Sequence, residues 1–262
     1  PDVLENQDGR HQTLVKFKHG FKQAIRAFNV SSPFGDSIDQ RDLLMYGIGV
    51  DDTRKEVKVT TVSPYKDVGL LDFQDQQGIS YVGTGTLISN RHVLTAAHNC
   101  VSCDGIKPVP MKKMSFLRGF NRSTFIEDSQ VASMHLPKNF CQTRTGNDIA
   151  VLELSPAVTS SSDVGFISMP AMELKKKRVI VIGYPGDRAD QLEGPVMWED
   201  DGEVVNVSEG EFVHKANTDQ GNSGGPVFLD ESIAISGEPE TIIKGPIVGV
   251  HVRGTTFIKS AG

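Results

Sequence analysis

From about Tyr46 onward, short apolar runs alternate with turn residues: "EVKVTTV", "GTGTLIS", "HVLTAA", "DIAVLEL", "RVIVIGY", "GEVVNVS", "GPVFL" and "GPIVGVHV". Runs of this length, rich in Val, Ile and Thr and bounded by Gly, Pro, Asn or Ser, predict β-strands. Many short strands without intervening long helical patterns predict an all-β sandwich or barrels, and exclude an open α/β sheet. The first 45 or so residues follow a different rule. Leu14, Phe17, Phe21, Ile25 and Phe28 recur at helical spacing, with Lys16, Lys18, Lys22 and Arg26 between them. This predicts one amphipathic helix, for which docking on the body of the protein is favoured over a membrane surface. "SSPFGDS" then breaks the helical pattern with Pro33 and Gly35.

Composition narrows the partners. The 262 residues carry a formal net charge of −6, so there is no basic field to release counterions from nucleic acid, and no nucleic-acid partner is expected. No apolar run approaches the roughly 20 residues that span a bilayer, so no membrane anchor is expected. The sequence begins at Pro1 without a charged and then apolar leader, which implies that a signal peptide is either already removed or never existed. The Lys175–Arg178 run reads as a solvated strand entry. Of the three cysteines, Cys100 and Cys103 form a C-x-x-C pair with no second pair downstream. A structural disulfide from Cys141 to either Cys100 or Cys103, with one thiol left over, is therefore expected in preference to a metal site. No metal and no cofactor is expected. Asn29, Asn121 and Asn206 stand in glycosylation sequons, triplets that arise often by chance.

Candidate chemistry centres on "NTDQGNSGGPVF", Asn217 to Phe228. Taken alone it fits a Gly-x-Ser-x-Gly nucleophile elbow, a Gly-x-Ser-Gly-Gly protease loop, or a plain turn. The elbow requires an acid and then a histidine downstream on strand-helix units. Only about 39 residues follow Ser223, they are β-rich, and they hold one histidine, His251, so the elbow fails on length and on fold class. The opposite order is present: His98 ends "LTAAH", Asp148 opens "DIAVLEL" about 50 residues later, and Ser223 follows after about 75 more. These three segments resemble the catalytic segments of the chymotrypsin-like serine proteases. The resemblance implies two six-stranded antiparallel β-barrels, at 46–160 and 161–262, preceded by a helical N-terminal extension at 1–45. It also implies a catalytic triad. A serine hydroxyl is a poor nucleophile near neutral pH, so His98 would take its proton, and Asp148 would hold the imidazole tautomer. The backbone N–H groups of Gly221 and Ser223 would form the oxyanion hole. His92, Asp187 and Asp219 read as a surface histidine and ordinary turn carboxylates.

The downstream half narrows the resemblance. "VIGYPGDRADQLEGPVMWEDDGEVVNV", "NTDQGNSGGPVF" and "IVGVHVRG" are similar to segments of bacterial glutamyl endopeptidases, and "GIGVDDTRKEVKVTTVSPY" resembles their mature amino terminus. That likeness spans roughly Tyr46 to Gly254. It implies protein or peptide substrates cut after Glu, and less readily after Asp, with His251 and Thr218 binding the acidic side chain. A buried carboxylate needs a donating or positive partner, and histidine provides either. Arg253 either adds positive potential or forms an edge-strand ion pair. Asp219 stands where the relatives carry a neutral residue, and would repel an acidic substrate if it faced the pocket. Asn222 replaces the aspartate that in trypsin-like zymogens pairs with a new amino terminus. In the glutamyl endopeptidases that terminus helps bind the acidic side chain instead, so the extension resembles a propeptide removed by an activating protease. A secreted or extracytoplasmic zymogen is expected. Two alternatives stand beside this: a high-temperature-requirement-type protease, which normally carries a further peptide-binding domain, and a catalytically silent homologue that acts by binding.

Overall fold

The computed structural model describes residues 52–143, 147–189, 194–208, 210–231 and 244–254. The extension at 1–45, with its predicted helix, lies outside the described residues.

Fourteen strands are described. The first part of the chain gives β1 (Lys55–Glu56), β2 (Val68–Gln74), β3 (Ser80–Leu87), β4 (His92–Thr95), β5 (Val101–Asp104), β6 (Lys107–Pro110), β7 (Lys112–Arg118), β8 (Glu127–His135) and β9 (Ala150–Ser155). The second part gives β10 (Arg178–Gly183), β11 (Trp198–Ser208), β12 (Glu211–His214), β13 (Pro226–Asp230) and β14 (Lys244–Val250). Three helices of one turn each, α1 (Phe140–Thr143), α2 (Ala171–Leu174) and α3 (Gly186–Ala189), sit in the connections. The fold class is therefore mostly β, as expected.

Strands β2-β3-β4-β9-β8-β7 close into an antiparallel barrel. The second sheet also has six strands, ordered β1-β11-β10-β13-β14 with β12 on β11, and among the described residues it is an open half-barrel. Its edge strand β1 comes from the beginning of the described chain, so this segment crosses to the second sheet before the first barrel begins. Of the predicted strand "EVKVTTV" (56–62) only the first residue, Glu56, lies in β1; the Val57 N–H still donates to Met197 O at 2.9 Å, and Val59 and Val62 are exposed.

Period-2 geometry explains why several strands read as unbroken apolar runs. On β2, Leu71 and Phe73 point into the closed barrel, while Val68 and Leu70 join Ile180, Ile182, Tyr184 and Phe228 in a core shared by the two sheets. On β10 the same alternation sends Ile180 and Ile182 to that shared core, and Val179 and Val181 to a third cluster with Leu174 and Val204. Each strand thus serves two cores, and neither face is left to water.

A buried charge pair ties the connection between the sheets to the barrel. Arg118, at the end of β7, donates to Asp67 Oδ1 at 2.6 Å, to Lys66 O at 2.9 Å and to Ser160 Oγ at 2.6 Å. Asp67 Oδ2 in turn accepts the Asp163 N–H at 2.9 Å. Every group in this set is satisfied, which is the condition under which a buried ion pair is tolerated.

Candidate active site

The register of two barrel strands brings the histidine and the aspartate together. Thr95 on β4 pairs with Ala150 on β9. Because the strands are antiparallel, three residues beyond Thr95 and two residues before Ala150 lie at the same barrel end. Ala96 and Ala97, both fully buried, let the chain turn into a short 3-10 helix that carries His98. The Asp148 carboxylate then accepts two bonds from one residue: the His98 backbone N–H at 3.0 Å and ring Nδ1 at 2.7 Å. With a carboxylate on Nδ1, the neutral ring carries its proton there, which leaves the Nε2 lone pair free.

Ser223 reaches this end of the barrel through its backbone. Its carbonyl accepts from Thr84 N and from Asn99 Nδ2, each at 2.8 Å, and Asn99 directly follows His98. Thr84 Oγ1 donates to Gly221 O at 2.7 Å, and Thr95 Oγ1 donates to Thr84 O at 2.8 Å. Thr84, Thr95 and Asn99 were not singled out in the sequence, although buried threonines in an apolar strand and an Asn directly after "AAH" are the signals. Among the described residues no hydrogen bond joins the Ser223 hydroxyl to His98.

Two backbone donors remain open beside the serine. Among the described residues, neither the Gly221 N–H nor the Ser223 N–H donates to a protein acceptor, whereas those of Asn222, Gly224 and Gly225 all do. Gly221 adopts φ +93°, and a Cβ there would meet Tyr184 O at 2.3 Å. Only glycine fits this turn, and the turn is what leaves the donors unsatisfied.

His251 borders the same loop: its carbonyl accepts the Gly224 N–H at 2.7 Å, and its N–H donates to Gly225 O at 2.8 Å. Its ring is buried and meets a second histidine, with His214 Nε2 and His251 Nδ1 3.3 Å apart. Burial, then the neighbouring His214 and His98, drives the His251 pKa well below its ordinary value, and burial pushes His214 down to about 4. Both rings are therefore neutral near pH 7. His214 was missed in the sequence, since nothing local marks a histidine at the end of an edge strand. Thr218 is buried five residues before Ser223, and no hydrogen bond links it to His251 among the described residues.

The remaining charged groups around the loop are spoken for. Asp219 Oδ2 accepts the Asp187 N–H at 2.9 Å. Its carboxyl pKa is raised, chiefly by burial and then by Asp187. Asn222 Oδ1 accepts the Asp219 N–H at 3.1 Å, so the residue before the serine is satisfied within its own loop. Arg253 pairs with Glu211 at 3.1 Å, the ion-pair role of its two alternatives. The disulfide joins Cys103 to Cys141, and Cys100 is a buried free thiol pushed up to about 12, mainly by burial. Among the described residues no group of three or more His, Cys, Asp or Glu side chains could hold a metal ion, and no helix is long and apolar enough to cross a membrane.

Comparison with known proteins matches residues 60–255 to the trypsin family. A glutamyl endopeptidase of Staphylococcus aureus strain MRSA252 is 23% identical over 214 residues, covering 77% of this chain and 50% of the relative. The enzyme of the same name from strain MW2 is 24% identical and covers 77% and 55%. The chain thus spans about half the length of the curated relatives it matches. Among solved structures, a Glu endopeptidase in complex with MPD superposes with a TM-score of 0.61 at 23% identity, over 77% of this chain and 93% of the other. A scabies mite inactivated protease paralogue, S-I1, superposes with a TM-score of 0.51 at 19% identity, over 72% and 92%.

Proposed function

Because the chain belongs to the trypsin family, we propose that it is a serine endopeptidase in which Ser223, His98 and Asp148 form the triad, with cleavage preferred after Glu. The observation that carries this is the His98–Asp148 pair, at 2.7 Å, set beside a serine loop whose carbonyl is tied to Asn99.

In this reading Ser223 Oγ attacks the scissile carbonyl while His98 Nε2 takes its proton, and His98 later returns that proton to the leaving amine. Asp148 fixes the tautomer through Nδ1 and fixes the ring's position through the His98 backbone N–H. The N–H groups of Gly221 and Ser223 stabilise the oxyanion, a contribution of about 3 kcal/mol per donor in such sites. Labelling by a serine-directed fluorophosphonate tests the assignment. Labelling that disappears in Ser223→Ala, and turnover that falls on the order of 10⁴-fold in Asp148→Asn, is the expected outcome. A wild-type chain that folds but neither labels nor cleaves would favour the silent-homologue reading, for which the mite paralogue is a structural precedent.

The substrate's acidic side chain is received by His251, backed by His214, with Thr218 on the adjoining segment. Asp219 opposes this less than a free carboxylate would, since it accepts the Asp187 N–H and the nearby Arg54 charge offsets it in part. A peptide library in which cleavage after Lys or Leu predominates would remove the Glu preference and leave the protease reading intact. The Cys103–Cys141 disulfide supports a secreted or extracytoplasmic location, where such bonds persist. The extension at 1–45 acts as a propeptide released by a second protease, and the regions 46–160 and 161–262 form the two halves of the catalytic unit. Amino-terminal sequencing of active protein tests the propeptide.

A further inference from the structure

Asp52, Thr53 and Arg54 open the described chain, far in sequence from the serine loop, yet they hold that loop at both ends. At one end, Thr53 Oγ1 donates to Asp200 at 2.9 Å and accepts from Asn217 Nδ2 at 2.9 Å. Asp200 Oδ2 also accepts the Asn217 backbone N–H at 2.6 Å. Thr53 therefore fixes the residue that precedes Thr218. At the other end, the Arg54 guanidinium grips Asp187 through two nitrogens, at 2.8 and 2.6 Å, and Asp52 through Nε and a terminal nitrogen, at 2.9 and 2.8 Å. Its side chain is only 1% exposed. The Asp187 N–H passes the connection to Asp219 Oδ2, and Asp219 holds Asn222 by two bonds, N–H to Oδ1 and carbonyl to N–H, each 3.1 Å. Gly186 N donates to Gln220 O at 2.6 Å, a parallel link between the same two segments.

We infer that Thr53 and Arg54 are positioning residues for the loop from Asn217 to Ser223. Thr53 holds the wall that receives the substrate side chain, and Arg54 holds the turn that presents Gly221 and Ser223 N–H groups to the oxyanion. A forked guanidinium suits the second task, because it fixes the planes of two carboxylates at once. This rests on the protease reading above, and it predicts that the two grips separate kinetically. A wall displaced by loss of Thr53 weakens binding, while a tilted oxyanion turn slows the chemical step.

The test is the steady-state kinetics of the processed protein on a Glu peptide. Thr53→Val is expected to raise KM about 5-fold with kcat within about twofold, and Arg54→Gln to lower kcat at least about 10-fold with KM within about twofold, in line with the cost of sub-ångström misplacement. Arg54→Lys should recover part of kcat, since it keeps the charge without the fork. Arg122→Gln, which breaks the exposed Arg122–Glu56 pair on the same segment, is the control and should change neither parameter. Should Arg54→Gln fail to fold, Asp187→Asn breaks the same grip from its other side. Variants within twofold of wild type in both parameters, or losing both only in proportion to their folded fraction, would overturn the inference. A wild type without turnover would instead defeat the protease reading. In that case amide exchange at Asn222 and Gly225 decides: faster exchange in Arg54→Gln supports the positioning role, and unchanged exchange overturns it.

Discussion

In the proposed function, His251 is the residue where electrostatics and specificity meet. Burial, His214 and His98 hold its pKa well below the ordinary value, so the ring is neutral near pH 7. On the proposed reading, a desolvated substrate carboxylate beside it would favour the imidazolium, so binding Glu would take up a proton that binding Gln does not. Linkage then sets the sign: kcat/KM for a Glu peptide relative to its Gln analogue is expected to fall as pH rises from about 6 to 9, and a flat ratio would remove the ionic role of His251. A second residue prediction concerns stability. Burial, and then the charge of Asp128, raises the Asp72 carboxyl from 3.8 to about 6. The folded chain binds more protons than the unfolded chain between these values. Stability is thus full below the lower value, declines across the window, and stays reduced above it. Asp72→Asn should raise Tm at pH 7–8, by the equivalent of about 1–3 kcal/mol, and leave it unchanged near pH 4, as thermal melts at the two pH values would register. The segments that hold His98, Asp148 and Ser223 were legible in the sequence because each is a short local motif whose order carries information. His214 and Arg54 were not, because their roles depend on partners 37 and 133 residues away that only the folded sheets bring near.

At the scale of elements, legibility followed the distribution of apolar residues. Strands whose two faces both meet a core, such as β10, stood out as continuous runs. β8, with a largely half-buried or exposed pattern and the sequence "EDSQVASMH", left no such trace, although it closes the barrel between β7 and β9. "EVKVTTV" erred in the opposite direction: its alternation is strand-like, but only its first residue, Glu56, belongs to β1, which pairs with β11. That the first sheet closes while the second stays open among the described residues could not be read from the runs, since pairing between distant strands is a tertiary property. The Arg118–Asp67 pair was equally hidden, and it carries an element-scale prediction. Arg118→Ala should cost about 3–5 kcal/mol by leaving Asp67 buried without its cation, whereas the exposed Arg122→Gln should cost under about 1 kcal/mol; urea unfolding of the two variants measures the contrast.

For the molecule as a whole, the opening segment begins against the second sheet, through Asp187, Asp200, Asn217 and β11, before the chain enters the closed barrel. A chain beginning at Asp52 keeps both grips on the serine loop, while one beginning at Lys55 loses them and keeps β1. The shorter chain is expected to be at least about 10-fold slower on a Glu peptide, at similar far-UV circular dichroism, if the positioning role holds. Cleavage upstream of Asp52 is then compatible with activity, and cleavage a few residues further in is not. The core has another whole-molecule consequence, through its one free thiol. Cys100 is 0% exposed, and its thiol is pushed up to about 12. An alkylating dye therefore reacts with it only while the barrel is open. Under non-reducing conditions this sulfur is a built-in counter of opening events, able to time the breathing of the protein with no label added beforehand.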